Sequence, residues 1–261
     1  MALTEALSSD ASDRDFVNSL ARGLEVIRVF NRQTPKMTLS EVAEATGMTR
    51  ATVRRFLLTL VREGYVESNG KHFNLRPKVL ELGFSALSSM GIWEVAQPIM
   101  NELSERLQES CFAAVLDGDS VIYVARASSN RLVNVGINIG SRVPAHCVST
   151  GRVLLASLGE DEFHHYLEEV KLAKFTVNTI TSKVKLRGLI EEVRAQGFSI
   201  VDQELEVGLR SLSVPVRDQT GAIVAALNVC CPSARVTPED MRTRVLLELM
   251  EASRRITQSL R

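Results

Sequence analysis

The stretch TLSEVAEATGMTRATVRRFLLTLVREGYVESNGKHFNL, residues 38–75, holds the most informative pattern in the chain. Thr38 and Glu41 have the spacing of a capping box, which predicts a short helix that begins after Thr38 and ends near Gly47. A second helix is predicted after Thr49. Its apolar residues recur at helical spacing, at Val53, Phe56, Leu57 and Leu60. Two helices joined by a short turn that contains glycine have helix-turn-helix spacing.

The residues after the second helix predict a β-hairpin. Residues 65–68 and 71–75 flank Asn69-Gly70, and an Asn-Gly pair between two short alternating runs is a strong hairpin signal. Helix, turn, helix and hairpin in this order predict a winged helix-turn-helix.

Positive charge is concentrated on the second helix. No acidic residue lies between Glu44 and Glu63, whereas this interval contains Arg50, Arg54, Arg55 and Arg62. Arginine pairs with phosphates and with guanine edges, so this helix favours DNA binding over an ordinary solvated surface.

The bulk composition fits a globular protein with two domains. The chain has 261 residues, of which 45% are hydrophobic and 24% charged, and its net charge is zero. Residues 1–78 carry 12 Lys and Arg against 9 Asp and Glu, whereas the remainder carries 19 against 22. A basic first part and an acidic second part predict that only the first meets phosphates. A DNA-compacting structural protein is disfavoured by the same numbers.

The cysteine and hydropathy patterns favour a cytoplasmic protein. The four cysteines, Cys111, Cys147, Cys230 and Cys231, show no CxxC pair and no metal-ligand spacing, so we interpret them as free thiols. No apolar run reaches the roughly 18 residues of a membrane span, and the N-terminus lacks a basic signal-peptide start. We expect no membrane contact and no cofactor.

The rest of the sequence predicts an α+β second domain. A linker helix is expected over residues 77–91, because proline is tolerated in a first helical turn and apolar residues follow at helical spacing. Beyond it, helices are predicted at 98–109, 153–158, 160–169, 186–196 and 239–260, and strands at 111–116, 121–127, 132–137, 198–202, 211–217 and 223–230. This mixture of hairpins and helices predicts one antiparallel sheet with helices packed over it. The predicted domains are a disordered tail (1–15), the winged helix-turn-helix (16–76), the linker (77–91) and the second domain (92–261).

From about residue 16 to its end, the chain resembles the IclR-type transcriptional regulators. The matching segments are residues 19–24, 38–55, 60–66, 73–77, 116–118, 140–145, 149–156 and 197–216. Within the family, residues 202–211 and 225–229 are similar to regulators of protocatechuate, 4-hydroxybenzoate and β-ketoadipate catabolism. The resemblance implies a repressor or activator with a GAF-like effector-binding domain that senses a small carboxylate.

The helix-turn-helix prediction assigns roles to individual residues. With the second helix in the major groove, its N-terminal end and its outer face would meet double-stranded DNA. The predicted contacts are Thr49, Arg50, Ala51, Thr52, Arg54, Arg55 and Arg62, together with Lys71 and His72 at the wing. Two copies on a near-palindromic operator are expected, because one motif makes too few contacts. We therefore expect a homodimer or a dimer of dimers, with the linker helix as either its interface or simply part of a core.

The resemblance also implies a ligand cup in the second domain. Carried over position by position, it comprises Leu132, Val135, Val143, Ser149, Thr150, Asp202, Leu209, Ser211, Asn228 and Cys230. The turn Ser149-Thr150-Gly151 before a predicted helix supplies hydroxyls and N-terminal amides suited to an anion. Four arginines could neutralise a carboxylate: Arg126, Arg142, Arg152 and Arg210. Arg142 is the first choice.

Other interpretations remain open at this point. Cys230-Cys231 suggests a thiol-based redox regulator, although neighbouring residues on a strand point to opposite faces. His146-Cys147 would suit a thiol hydrolase, but no further triad element is recognisable. His164-His165 could bind a metal, but adjacent residues on a helix point apart. We therefore expect a regulator and not an enzyme.

Overall fold

The computed structural model describes residues 16–31, 33–83, 92–129 and 136–260. The chain divides into two compact units, residues 1–86 and 87–261. The predicted tail, residues 84–91 of the predicted linker, and the predicted cup residues Leu132 and Val135 lie outside the described residues. No described helix combines the length and the apolar character needed to cross a membrane.

The first unit is a winged helix-turn-helix. Its elements are α1 (Asn18–Arg28), β1 (Met37–Thr38), α2 (Leu39–Thr46), α3 (Arg50–Arg62), β2 (Val66–Ser68) and β3 (His72–Leu75). The predicted capping box forms, because the Glu41 amide donates to the Thr38 hydroxyl and the Thr38 amide donates to the Glu41 carboxylate at 2.6 Å. Thr49 caps α3 by accepting from the Thr52 amide. Gly47 ends α2 with a φ of 64°, a conformation that glycine adopts without strain.

Strand β1 was not anticipated from the sequence. It pairs antiparallel with β3, with Met37 opposite Phe73, and completes a three-stranded sheet in the order β1-β3-β2. Two residues are too few to show an alternating pattern, so only the pairing identifies the strand. After the wing, a 3-10 turn at Pro77–Val79 leads into helical residues 80–83.

The second unit is a six-stranded antiparallel sheet in the order β6-β5-β4-β9-β8-β7. The strands are β4 (Ser110–Asp117), β5 (Ser120–Ala127), β6 (Arg142–Pro144), β7 (Ser199–Asp202), β8 (Leu209–Arg217) and β9 (Ile223–Pro232). The helices are α4 (Ile92–Leu107), α5 (Ser149–Ala156), α6 (Glu160–Glu169), α7 (Lys183–Gln196) and α8 (Leu246–Ser259). The α+β prediction is confirmed.

Helices cover both faces of this sheet. Alternate strand residues point to opposite sides, so the unit has two apolar cores, one under α4 and α8 and one under α5, α6 and α7. Cys231 belongs to the first core and Cys230 to the second. The α5 side also contains the buried polar residues described below.

Four local predictions in the second unit need correction. The helix predicted over 153–158 begins at Ser149 and ends at Ala156. Helix α4 begins at Ile92 rather than at Pro98, which lies inside it; burial of the preceding turn against the sheet outweighs the hydrogen bond that a proline cannot make. The closing helix contains a π-helical turn at Met241–Val245 before α8. Of the predicted strand 132–137, the described residues Gly136 and Ile137 are not in a strand.

Candidate functional site

Helix α3 has a buried stripe and a basic outer face. Val53 and Leu57 are completely buried. At 3.6 residues per turn, Ala51, Arg55 and Arg62 align on the opposite, exposed side. Among the ion pairs of the described residues, none involves Arg50, Arg54, Arg55 or Arg62. Their charges are therefore directed to solvent.

Leu58 lies on the same outer face and was not anticipated from the sequence. Its side chain is 45% exposed, between the positions of Arg55 and Arg62. Because α3 is apolar on its other side, leucine at this position resembles one more core residue in the sequence. Helical geometry alone places it beside the arginines.

The first turn of α3 is held by its own threonines. The Thr49 and Thr52 hydroxyls lie 2.9 Å apart, and Thr49 also caps the helix. These two side chains therefore fix the helix start, which positions Arg50 and Ala51 at its exposed N-terminal end.

The wing turn is ordered by Asn69. Its side-chain oxygen accepts from the amides of Lys71 at 3.1 Å and His72 at 2.8 Å. Lys71 is exposed, whereas His72 is half-buried and lies opposite Thr38 in the small sheet. Lys71 is thus the more accessible of the two predicted wing contacts.

A buried cluster of hydroxyls lies where α5 meets the central sheet. The Ser149 hydroxyl is 2.9 Å from that of Ser211 and 2.7 Å from that of Ser213. The Thr150 hydroxyl lies 3.4 Å from the phenol of Tyr123. The structure therefore brings together the predicted residues Ser149, Thr150 and Ser211. Ser213 and Tyr123 were missed, although the alternation of Ser211 and Ser213 along one strand could have shown that they share a face.

Gly151 allows α5 to approach this cluster. A Cβ atom at this position would overlap the backbone carbonyl of Ala145, in the 3-10 turn before the helix. No side chain caps the first turn of α5. No side chain therefore competes for the backbone amides at its N-terminus, the kind of position that binds anions.

Asn228 and Cys230 extend the polar surface along β9. The Asn228 amide nitrogen lies 3.3 Å from the Cys230 sulfur. The Asn228 side-chain oxygen is buried and has no hydrogen-bond partner. An unsatisfied buried acceptor carries a cost in free energy, so this position favours a ligand that donates a hydrogen bond.

A cavity of about 210 Å³ lies beside Cys230, at the edge of this polar surface, and Glu109 and Glu206 are among the residues that line it. Leu209 and Cys230 line it from the sheet, and Ser129 and Gly136 line it from the two ends of the segment 130–135. The predicted cup residues Leu132 and Val135 belong to that segment. The cavity could admit a small ligand to the side of the sheet that carries Cys230.

The structure does not bring Arg142 to this cluster. Its side chain is 48% exposed on β6 and pairs with Asp117 of the β4–β5 turn, with Asp119 at 3.9 Å. The first choice for a carboxylate partner is therefore corrected, because sequence proximity to Pro144 does not set the direction of the side chain. Val143 next to it is half-buried and packs toward the α5 core.

Two more of the arginines considered as partners of a ligand carboxylate already have a carboxylate partner within the fold. Arg210 pairs with Asp202, with nitrogen–oxygen distances of 3.0 and 2.9 Å. Arg152 is buried and donates to the Glu204 carboxylate at 2.7 Å. Asp202, a predicted cup residue, thus holds Arg210 in place.

The thiols have no catalytic or redox arrangement. Burial raises the pKa of Cys147 and of Cys230 to about 12, and burial also raises the pKa of Cys231. The His146 ring nitrogen Nε2 lies 3.0 Å from the Ala173 carbonyl, and the Cys147 thiol donates to the Pro144 carbonyl at 3.5 Å. A nucleophilic thiolate needs a lowered pKa and a partner base, so these residues do not support the hydrolase or redox interpretations.

We expect the native protein to resist thiol alkylation. Iodoacetamide at pH 8 should modify the cysteines only after unfolding in urea. Burial raises the pKa of the thiols well above its ordinary value, so the reactive thiolate is scarce in the folded protein. Mass spectrometry with and without urea measures this. Rapid modification of Cys230 in the native protein, with loss of DNA binding, would instead support the thiol-based regulator.

The adjacent histidines of α6 face different partners. His164 lies 3.4 Å from Glu168, and His165 lies 3.4 Å from Glu169. Within the described part of the chain, no group of three or more His, Cys, Asp or Glu side chains is placed to hold a metal ion.

Comparison with known proteins accounts for both units. Residues 19–70 match the IclR helix-turn-helix domain, and residues 84–258 match the C-terminal domain of the bacterial transcriptional regulator IclR. The Pca regulon regulatory protein of Pseudomonas putida is 42% identical, over 95% of this chain and 86% of its own. The p-hydroxybenzoate hydroxylase transcriptional activator of Acinetobacter baylyi is 32% identical, over 92% of this chain and 90% of its own.

Solved structures agree with these matches. A crystal structure of a transcriptional regulator from Rhodococcus sp. RHA1 has a TM-score of 0.84 and 48% identity, covering 94% of this chain and 98% of that one. The inducer-binding domain of the PobR transcription factor from Acinetobacter, solved as a double mutant with 3-hydroxybenzoic acid, has a TM-score of 0.60 and 31% identity. It covers 63% of this chain and 96% of that one. The chain belongs to the IclR family of transcriptional regulators, with a helix-turn-helix domain and a C-terminal effector-binding domain.

Proposed function

We propose that this regulator reads an operator with α3 and the wing, and that it controls genes of aromatic-acid catabolism in response to a small carboxylate. The observation that carries the DNA-binding assignment is the outer face of α3. Arg54, Arg55 and Arg62 are exposed there, and no described carboxylate neutralises them.

Each part of the proposed interface has a distinct role. Arg54 and Arg55 would meet base edges or phosphates, and Arg50 would meet a phosphate. Ala51, Thr49 and Thr52 form the helix end nearest the groove, while Lys71 and His72 would contact the DNA backbone from the wing.

The proposed effector is an aromatic acid or a carboxylate formed in its breakdown. Buried hydroxyls at Ser149 and Ser211 and the unpartnered oxygen of Asn228 suit a polar ligand that both accepts and donates hydrogen bonds. The A. baylyi relative is named as the activator of p-hydroxybenzoate hydroxylase, and the related PobR domain holds 3-hydroxybenzoic acid. Both support a ligand of this class.

We further propose that the working form is a homodimer or a dimer of dimers on a near-palindromic operator. Helix α1 supports this, because Leu20 and Leu24 are 63% and 41% exposed and offer an apolar surface to a second copy. The linker 77–91 would transmit effector binding, since a ligand must favour one arrangement of the paired domains to change DNA affinity. As a DNA-bound regulator it would act in the cytoplasm, without catalysis.

Fluorescence anisotropy tests the whole proposal. Full-length protein is titrated at fixed salt onto DNA from upstream of its own gene, with and without 4-hydroxybenzoate, protocatechuate and β-ketoadipate. Specific binding that one acid shifts supports the proposal, with a random duplex of equal length as the control. Binding that is blind to sequence contradicts operator recognition, and specific binding that ignores every acid contradicts the effector class.

A further inference from the structure

We infer that Arg126 binds the carboxylate of the effector; this inference rests on the function proposed above and names the residue on which its ligand recognition depends. Arg142, Arg152 and Arg210 each have a carboxylate partner within the fold. Among the described residues, no carboxylate forms an ion pair with Arg126. Of the four arginines considered, this one alone keeps a charge that the described fold does not neutralise.

Arg126 lies on the sheet face that carries the polar cluster. In the strand register Arg126 is opposite Phe112, Phe112 is opposite Asn228, and Asn228 is opposite Ser213. Residues paired in this way point to the same side of a sheet. The Arg126 guanidinium lies 5.6 Å from the centre of the Phe112 ring, so the cation packs against its neighbour in this row.

The cavity lies beside this row. Cys230, which lines it, is opposite Ser110 on one neighbouring strand and Ser211 on the other. These residues are two positions along their strands from the row of Arg126, the spacing of adjacent side chains on one face. Arg126 itself does not line the cavity, whereas Glu109 and Glu206 do. A ligand that enters there would therefore direct its own carboxylate away from these two acids and toward the row of Arg126.

The guanidinium of Arg126 is incompletely satisfied. Nη1 donates to the Ile137 carbonyl and to the Asn138 side chain, each at 2.8 Å. Nε is buried and has no hydrogen-bond partner. A bound carboxylate would supply both the missing acceptor and the missing counter-charge, in a charge-assisted hydrogen bond.

The two unsatisfied groups define the ends of a ligand site. The Asn228 oxygen accepts and the Arg126 Nε donates, and their backbone positions are two strands apart, about 10 Å at ordinary strand spacing. Phe112 lies between them and makes an edge-to-face contact with Tyr123 at 5.6 Å. The site therefore suits a compact ligand with a carboxylate at one end and a hydrogen-bond donor at the other, which a hydroxybenzoate has; ionised β-ketoadipate offers only the carboxylate.

Calorimetric titration of the full-length protein tests the inference. Wild type and Arg126→Gln are titrated with 4-hydroxybenzoate, with β-ketoadipate and with the uncharged amide of each. We expect Arg126→Gln to weaken binding of the acid effector by about 10- to 100-fold, the range for a lost hydrogen bond to a charged group. Binding of the amide should hardly change, so the preference for the acid should disappear. Arg126→Lys should retain part of that preference.

Two controls separate ligand binding from a structural role. Asn138→Ala removes one of the two hydrogen bonds that Arg126 makes with the following loop, and Arg142→Gln removes an equal charge from β6. Both variants should keep the wild-type preference for the acid. A preference retained in Arg126→Gln, or lost in Arg142→Gln, overturns the inference. If wild type binds neither acid, the proposed effector class itself fails. Circular dichroism verifies folding. If Arg126→Gln does not fold, the preference of Arg126→Lys for the acid over the amide decides the question: a preference equal to that of the wild type overturns the inference.

Discussion

Arg55→Ala is expected to abolish specific operator binding while the protein remains folded. Arg55 lies on the exposed face of α3, directly opposite the buried Val53 and Leu57, so its removal leaves the core intact. A bidentate arginine–guanine contact contributes about 1–3 kcal/mol. Two half-sites would lose it together, which corresponds to roughly 30-fold to 10⁴-fold in affinity.

Anisotropy on the operator and on a random duplex measures this loss, and urea unfolding verifies stability. Arg55→Lys keeps the charge but lacks the planar guanidinium that reads a base edge. This variant should therefore bind the operator about as weakly as it binds the random duplex. Arg28→Ala, an exposed arginine of α1, is the matched control for charge and should have a small effect on both duplexes. Unchanged operator affinity in Arg55→Ala would remove α3 from the interface.

Glu204→Gln is expected to destabilise the second unit by about 3–5 kcal/mol, the cost of leaving a buried charge without its partner. The Glu204 carboxylate accepts from Arg152 at 2.7 Å and from the Ile180 amide at 3.0 Å. Both charged side chains are more than nine-tenths buried. Arg152 also donates to the His146 carbonyl at 3.1 Å, so the pair ties α5 to the turn before it.

Urea unfolding monitored by Trp93, the single tryptophan of the chain, measures the effect. The double variant Arg152→Met, Glu204→Gln removes both charges and leaves an acceptor for the Ile180 amide, so it should recover most of the lost stability. Glu102→Gln breaks an exposed pair with Arg255, also at 2.7 Å, and should leave the midpoint almost unchanged because solvent screens that pair. Equal midpoints for Glu204→Gln and Glu102→Gln would contradict the argument.

The DNA-binding unit was largely predictable because its signals are local. A capping box, a glycine turn, an apolar stripe and an Asn-Gly hairpin each act within a few residues, and the structure has all of them. The face on which Arg55 lies follows from helical periodicity alone. Strand β1 was not predicted because its partner, β3, is more than thirty residues away in the sequence.

The effector region was predictable only in part. The resemblance selected Ser149, Ser211 and Asn228, and the structure places them on one face, but Ser213 and Tyr123 were not anticipated. The choice among the arginines also could not be made from the sequence. Whether an arginine is neutralised depends on carboxylates distant in the chain, such as Glu204 for Arg152.

The sequence by itself determined the two-part organisation, the winged helix-turn-helix and the identity of the residues on its outer face, because hydrophobic periodicity, capping and turn chemistry are properties of short segments. Only the tertiary structure decided which polar residues of the second unit meet. Strand register places Arg126, Phe112 and Asn228 in one row, and long-range ion pairs occupy the competing arginines. Those relations depend on packing between segments far apart in the chain, which no local pattern specifies.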